Sequence, residues 1–303
     1  MTNCKKLYKI KMPFSLDEYR RGMKYVLYKM TTNEVKIIKM HRKKAVNKII
    51  TETHKELDLT GRMPYIVKKV IPGAACFVDE FSINIDILFT KLENIKKEKI
   101  HQEIQTKQNG LQIDQEQTIE LKIDEEMQTK QNEIQIEQEI MKSMKELKSA
   151  IQAHENLNPN SMDHGHSCIT KYKNKYFDEN TFKMKIETVV NKNPDYKING
   201  YDKVEEIDFR DFGGKKISKV EKRDYSGSYD KKYECCYVYK GIDIEINSFG
   251  LGWISKEINK ALRNMLVEFL QTIVETHSEW IQKSEEDLDG FEQEVLKKIL
   301  SPS

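Results

Sequence analysis

The chain has 303 residues, 51 basic against 49 acidic side chains and a mean hydropathy of -0.71. This near balance argues against a protein whose main ligand is the nucleic-acid backbone, so no nucleic-acid partner is predicted. No run approaches the roughly 18–20 apolar residues of a membrane-spanning helix, and no apolar stretch follows the lysines of the first ten residues as in a secretion signal. The sequence predicts a protein that is neither membrane-spanning nor secreted.

The five cysteines predict reduced thiols in a cytosolic protein, because an odd number with two adjacent members does not make a disulfide framework. The nearest approach to a metal motif is His164-Gly165-His166, beside Asp163 and Cys168. So short a motif would be either a loose metal site or, more usually, part of a linker. No metal site and no cofactor are predicted.

The first predicted elements are a strand and a helix. Residues 7–12 alternate as a strand does, and Ser15 with Glu18 forms a capping box for the helix that follows. Apolar residues recur along that helix at the spacing of one buried face. A second strand is predicted at residues 35–38, with a basic loop at residues 41–44.

The third predicted strand, residues 49–59, is the most informative part of the chain. Alternation places six residues on its apolar, inward face: Ile49, Thr51, Thr53, Lys55, Leu57 and Leu59. Lysine is almost never buried without a partner. Lys55 therefore either reaches water at the rim of the sheet or converges with Thr53 on an anion, such as a phosphate ester, inside a cavity.

Residues 91–167 differ in composition from the rest of the chain. They contain none of the 11 Phe, 2 Trp and 14 Tyr of the protein, and 10 Lys against 15 acidic residues give them a charge of -5. Residues 105–117 and 128–140 are a duplicated unit. Three interpretations remain open: a loosely structured insertion with a helical end near residues 140–151, a coiled-coil arm, or a β-hairpin.

Beyond residue 167, three further strands are predicted at residues 182–190, 204–209 and 233–246, the last broken near Gly241. A helix of about six turns is predicted from Ile254, and another from Ser284 to about Ile299. A long helix after several strands indicates an α+β fold in which a concave antiparallel sheet is closed by C-terminal helices.

Several pieces of the sequence together resemble one known family. Residues 7–19, LYKIKMPFSLDEY, resemble the opening of the phosphatidylinositol transfer proteins, and Thr53-His54-Lys55 resembles their Thr-His-Lys strand. Further matches occur in the same order along the chain: Pro64-x-x-Val67, Pro72 to Ala75, Asn84, Lys185-Ile186-Glu187-Thr188 and the helix from Ile254 to Trp280.

The resemblance implies a START-like, helix-grip fold that encloses one phospholipid as cargo, and no enzymatic activity. The whole chain, residues 1–303, is then a single lipid-transfer domain. Its core comprises residues 1–90 and 168–303, and residues 91–167 are a low-complexity insertion, helical or disordered.

The resemblance also implies two groups of site residues. By position, the residues implied to recognise phosphoinositol are Thr53, Lys55, Asn84 and Glu292. In this assignment Lys55 neutralises the phosphate and the other three bind inositol hydroxyls. The family's paired-tryptophan loop, which docks on membranes, corresponds to residues 248–253 and lacks the tryptophan pair. Phe249, Leu251 and Trp253 are therefore the residues expected to insert into a membrane surface. For Trp253 the alternative is packing on the helix that it begins.

The predicted function is a cytoplasmic carrier that docks transiently on membranes and exchanges phosphatidylinositol and a second phospholipid, such as phosphatidylcholine. One alternative is a lipid-loaded regulator that presents phosphatidylinositol to a lipid kinase. Another is a coiled-coil adaptor, in which residues 91–167 bind a protein partner.

Overall fold

The computed structural model describes most of the chain outside the predicted insertion. The described residues are 2–30, 35–44, 48–63, 65–87, 116–119, 164–201, 203–214, 219–220, 223–224, 233–247 and 253–300.

Strands and helices alternate irregularly along these residues. The strands are β1 Thr2–Met12, β2 Val35–Lys44, β3 Lys48–Asp58, β4 Phe77–Ile87, β5 Glu116–Ile119, β6 His164–Asn174, β7 Phe182–Asn191, β8 Val204–Asp208, β9 Lys219–Val220, β10 Arg223–Asp224 and β11 Cys236–Ile246. The helices are α1 Leu16–Lys29, α2 Tyr65–Lys68, α3 Ile254–Glu275, α4 His277–Trp280 and α5 Glu285–Leu300. The predicted α+β class is confirmed.

One large sheet of nine strands organises the molecule, in the order β5-β2-β3-β4-β6-β7-β11-β1-β8. Its neighbours pair antiparallel except β1 and β8, which are parallel, so the prediction of a wholly antiparallel sheet is wrong for this pair. The cause is the connection from β7, which crosses β11 and β1 before β8 begins. Its Tyr196 and Ile198 are buried against Leu7 and Tyr239 on the face of the sheet away from the helices.

The start of α1 follows from its capping box, as predicted. The Glu18 backbone N–H donates to Ser15 Oγ at 3.2 Å, and the Ser15 N–H donates to a Glu18 carboxylate oxygen at 2.9 Å. The predicted basic loop at residues 41–44 is wrong, because β2 continues through it. Met40 and Arg42 pair with Thr53 and Thr51 of β3. His41 and Lys43, which alternate with them, point to the other face.

The predicted break near Gly241 is also wrong, since β11 runs unbroken from Cys236 to Ile246. Glycine is needed there for a close approach rather than for a bend. A Cβ atom at Gly241 would lie 2.5 Å from Cζ of Tyr201, whose ring covers the strand.

The helices lie on one face of the sheet, here called the inner face. α3 packs across β1 and β11, where the Tyr8 hydroxyl of β1 donates to Asn259, and Arg263 of α3 donates to Glu205 of β8. α5 begins after Ser284, whose hydroxyl accepts from the Asp287 N–H at 3.1 Å, and packs on α1 and β2. The predicted C-terminal helices are therefore confirmed, and they bring the end of the chain over the first strands.

Strand β6 begins at His164, inside the segment predicted as an insertion. The linker interpretation of His164-Gly165-His166 is wrong, because His166 is 5% exposed and its Nδ1 lies 2.8 Å from Asp86 Oδ1 of the neighbouring strand. Among the residues that the structure describes, no group of three or more His, Cys, Asp or Glu side chains is placed to hold a metal ion. The predicted helical end at residues 140–151 lies outside the described residues.

Candidate functional site

The inner face of β3 changes from polar to apolar along the strand. Thr51, Thr53 and Lys55 come first and Leu57 follows, and the two threonines are buried. β3 lies inside the sheet between β2 and β4, so Lys55 has strands on both sides. The inward orientation predicted for these residues is the one observed.

Lys55 is held by an ion pair with its cross-strand neighbour. Its Nζ lies 2.9 Å from Glu80 Oε1, and the two side chains are 22% and 14% exposed. Burial opposes the positive charge of Lys55, but the Glu80 carboxylate outweighs it, so the pKa of Lys55 is raised. Burial likewise opposes ionisation of Glu80, but Lys55 and a hydrogen bond from Tyr172 lower its pKa. Both groups of this covered pair are therefore charged at neutral pH.

A second polar patch lies directly beside this pair. Thr53 Oγ1 lies 2.6 Å from Ser82 Oγ, and the Asn84 amide donates to the same oxygen at 3.5 Å. Thr51 stands opposite Asn84 in the β3–β4 register. The structure thus places three of the four predicted headgroup residues, Thr53, Lys55 and Asn84, on neighbouring positions of β3 and β4.

The fourth, Glu292, reaches the same end of the sheet from α5. Its side chain is fully buried, and both of its carboxylate oxygens accept from the Arg42 guanidinium. Tyr28 of α1 donates to Glu292, and Lys24 Nζ lies 3.6 Å from its second oxygen. Burial opposes the charge of Arg42, but Glu292 outweighs it and raises the pKa of the guanidinium.

Lys240 of β11 is a second lysine on the inner face. It pairs with Thr188 of β7 and Tyr8 of β1, and burial lowers its pKa, with partial opposition from Cys168 and Glu80. When Lys240 is protonated, Lys55, Lys240 and Glu80 form a covered group with one net positive charge. Cys168, within electrostatic reach of all three, is itself buried, which raises the pKa of its thiol to about 11.

An apolar cavity continues from this polar group between the sheet and α3. Glu80 and Tyr172 of the polar group line it together with Arg62, Asn174 and Thr181, and most of the other lining side chains are apolar. They include Leu57, Leu59, Met63, Ile71, Val78, Phe182, Met184, Ile246, Ile254, Ile258, Leu262 and Met265. The arrangement suits a ligand with an anionic, hydroxylated end and an apolar remainder.

A family model described as phosphatidylinositol transfer protein matches residues 3–155 and 145–297. The chain belongs to the phosphatidylinositol transfer protein family. No curated protein is similar enough to this chain to count as a match. Among the residues that the structure describes, no helix is long and apolar enough to span a membrane.

Two residues of the candidate site, Arg42 and Lys240, were not predicted from the sequence. From the sequence, Arg42 is placed in a loop. The signal for its true position was the alternation of Met40 and Arg42, which puts both on the inner face once β2 is extended. Lys240 lies between Val238 and Ile242 in the same period-two pattern, and the expected break at Gly241 concealed it.

Sequence reasoning also missed an exposed apolar patch near the cavity. Tyr65 and Ile66 of α2 are 72% and 55% exposed, and Val70 just beyond is 48% exposed. Lys68 and Lys69 interrupt them, and the nearby Met63 and Ile71 line the cavity. Trp253, before α3, is 37% exposed. Phe249 and Leu251 lie outside the described residues.

The Arg42–Glu292 pair is expected to hold α5 against the sheet. Arg42→Met removes the main partner of a buried carboxylate and leaves it with Tyr28 and Lys24 among the described residues, so we expect a loss of about 2–3 kcal/mol in the free energy of unfolding. This loss in the free energy of unfolding is smaller than the loss expected for a fully enclosed ion pair, because the Arg42 side chain is 35% exposed. Urea denaturation measures the change.

The matched control is Lys192→Ala, which removes an exposed pair with Glu234 and is expected to change the free energy of unfolding by less than about 1 kcal/mol. Equal effects of the two substitutions would contradict the proposed role of Arg42.

Proposed function

We propose that this protein carries one phosphatidylinositol molecule in the inner-face cavity and exchanges it, and a second phospholipid, between membranes. The observation that carries the proposal is the change along β3 from Thr53 and Lys55 to Leu57 and Leu59, at the junction of a polar group and an apolar cavity. A START-like helix-grip arrangement, with α3 and α5 closing the sheet over the lipid, is part of the proposal.

The polar group matches an inositol phosphodiester in charge and in hydrogen bonding. Lys55, Lys240 and Glu80 carry a net charge of +1, which balances the single negative charge of a phosphodiester. Thr53 and Asn84 offer neutral donors and acceptors for inositol hydroxyls. A carboxylate has about four acceptor positions, and the bonds from Arg42 and Tyr28 take three of them, so Glu292 keeps about one for an inositol hydroxyl.

The apolar cavity matches acyl chains. Each exposed CH₂ group costs on the order of 0.8 kcal/mol in water, so a lipid with two chains needs a cover to cross the cytoplasm. A second phospholipid such as phosphatidylcholine presents the same phosphate and chains but lacks the ring hydroxyls. Carriage of this kind requires no covalent step and no cofactor.

Two surfaces support transient docking on membranes. Tyr65, Ile66 and Val70 form an apolar patch with two lysines, and Trp253 lies exposed at the start of α3. Aromatic residues favour the membrane interface, and each nearby lysine adds roughly 1 kcal/mol of attraction to an anionic surface. Phe249 and Leu251 belong to the same proposal by resemblance alone. The proposed location is cytoplasmic and peripheral to membranes.

Selectivity for inositol is tested by Thr53→Val, which removes a hydroxyl and keeps the shape. A lost hydrogen bond in a covered site is worth about 1 kcal/mol, so transfer of phosphatidylinositol between liposomes should fall about five- to tenfold. Transfer of phosphatidylcholine should change less than about twofold, since that headgroup lacks ring hydroxyls.

Thr272→Val, which alters a half-buried threonine of α3 whose hydroxyl bonds the Glu268 carbonyl, is the matched control and should leave both rates unchanged. Equal loss of both lipids by Thr53→Val, with circular dichroism unchanged, contradicts the headgroup assignment.

Binding of the phosphate, which phosphatidylinositol and phosphatidylcholine have in common, is tested by the pH dependence of transfer. Lys240 must be protonated to attract the phosphate, and its pKa lies below the usual 10.5 because it is buried. Transfer of both lipids should therefore decline as pH rises through that lowered pKa, before ordinary lysines titrate.

In Lys240→Arg the guanidinium stays protonated, so the decline should disappear from liposome assays between about pH 7 and 10. A decline of the same size in both proteins would show that Lys240 does not bind the phosphate.

Membrane docking is tested by Ile66→Asp. Burying an isoleucine side chain is worth about 1.5–3 kcal/mol, so the charge should weaken vesicle binding and transfer by about tenfold or more. Lipid already bound, measured by mass spectrometry, should be unaffected. Val204→Asp, at an exposed valine on the far edge of the sheet, is the control. The proposal fails if both substitutions slow transfer equally or if neither does.

A further inference from the structure

Arg42 of β2 continues a row of polar side chains on the inner face. In the antiparallel register it stands opposite Thr51 of β3, and Thr51 stands opposite Asn84 of β4. Side chains at directly opposed positions of neighbouring strands lie close enough to share a ligand. Arg42 therefore belongs to the same row as Asn84, to which an inositol hydroxyl has been assigned.

The guanidinium of Arg42 lies between the sheet and the helices. Both of its terminal nitrogens donate to the Glu292 carboxylate of α5, with 3.1 Å between Nη1 and Oε2. On β4, burial opposes ionisation of Asp86, but its partner His166 lowers the pKa of that carboxyl. The charges of Arg20 and Arg42 act in the same direction. The positive charge of Arg42 thus reaches across β3, over the polar part of the inner face.

The partners of Arg42 use only part of its hydrogen-bonding capacity. A guanidinium has five N–H donors in one plane. Among the described residues, Glu292 takes two of them, and Tyr28, whose hydroxyl also interacts with the guanidinium, accounts for at most one more. At least two donors therefore remain for the acceptor atoms of a ligand.

Glu292 and Tyr28 hold this guanidinium in a fixed orientation. A bidentate pair between arginine and a carboxylate fixes the plane of the guanidinium as well as its position. Glu292 is fully buried, whereas the Arg42 side chain is 35% exposed, so Arg42 is the member of the pair that presents more surface to a ligand. A donor that is oriented in advance loses less entropy when it binds.

We propose that Arg42 is a further headgroup-binding residue, which donates hydrogen bonds to ring hydroxyls of inositol. Glu292 and Tyr28 are its positioning residues. The inference rests on the proposed phosphatidylinositol function and adds a residue that determines its selectivity.

The charge of Arg42 distinguishes its contribution from those of its neighbours. Thr53 and Asn84 are neutral, so Arg42 supplies the charge-assisted donor to the ring, and such hydrogen bonds are the stronger ones. Lys55 and Lys240 already provide cations for the phosphate, which both lipids carry. A choline headgroup has no hydroxyl to accept from Arg42. The loss of these donors therefore weakens binding of phosphatidylinositol alone.

Arg42→Lys tests the assignment in the full-length protein. Lysine keeps a positive charge beside Glu292 but loses the planar fork and its spare donors. Transfer of phosphatidylinositol between liposomes should fall about tenfold, because a charge-assisted hydrogen bond is lost. Transfer of phosphatidylcholine should change by less than about twofold. The ratio of the two rates is the readout, since a general loss of packing lowers both.

Arg223→Lys is the matched control. Arg223 of β10 forms the same bidentate pair with Glu18, and its side chain is 30% exposed. β10 pairs only with β9, outside the nine-stranded sheet. Arg223→Lys should therefore leave the ratio of the two rates unchanged, and urea denaturation measures what each substitution costs in stability.

A second pair of variants tests the positioning role without changing a charge. Tyr28→Phe removes the hydroxyl that donates to Glu292 and should lower the ratio of the two rates about threefold. Tyr25→Phe removes a hydroxyl of the same helix that donates to Glu279, and it should leave the ratio unchanged. Combined with Arg42→Lys, Tyr28→Phe should lower the ratio no further, because it acts through Arg42.

Several results would overturn the inference and leave the lipid function standing. One is an unchanged ratio in Arg42→Lys, and another is an equal fall in Arg42→Lys and Arg223→Lys. Equal loss of both lipids in Arg42→Lys would reduce Arg42 to a structural contact. Should Arg42→Lys fail to fold, equal ratios in Tyr28→Phe and Tyr25→Phe overturn it. Unmodified protein that transfers phosphatidylcholine but no phosphatidylinositol would contradict the proposed function as well.

Discussion

A charge on a covered face of a sheet is stable only with a partner, and this constraint shapes the site of the protein. Lys55 lies on the same face of β3 as Leu57 and Leu59, which line the cavity, so its charge needs a partner within that covered layer. Glu80, directly opposite on β4, supplies the partner, and Lys240 adds a second cation within reach. The result is a small cationic region at the end of an apolar cavity. A cationic region beside an apolar cavity favours an anionic amphiphile as the ligand.

The sequence predicted the features that depend on local patterns. The capping box of Ser15 and Glu18 fixed the start of α1, and strict alternation placed Lys55 on the inner face. Features set by distant parts of the chain were not predictable in this way. Tyr201 crosses Gly241 from a loop forty residues earlier, and the parallel pairing of β8 depends on the path of that same loop.

Arg42 illustrates why the candidate site was only partly predictable. Its own neighbours are basic, and that composition resembles a loop. Its position follows from pairing with β3, and its role follows from Glu292, 250 residues later, which α5 brings to it. Alternation along β3 placed Thr53 beside Lys55, whereas Asn84 and Glu292 came from resemblance to the family, and the structure places all three at the same end of the inner face. Their roles toward a lipid headgroup remain proposals.

Native mass spectrometry of the purified full-length protein shows whether the cavity holds a phosphatidylinositol molecule. We expect a complex with one phospholipid per chain, and release of that lipid should identify phosphatidylinositol among the bound species. Recovery of the protein without any phospholipid, from cells whose membranes contain phosphatidylinositol, would contradict this expectation.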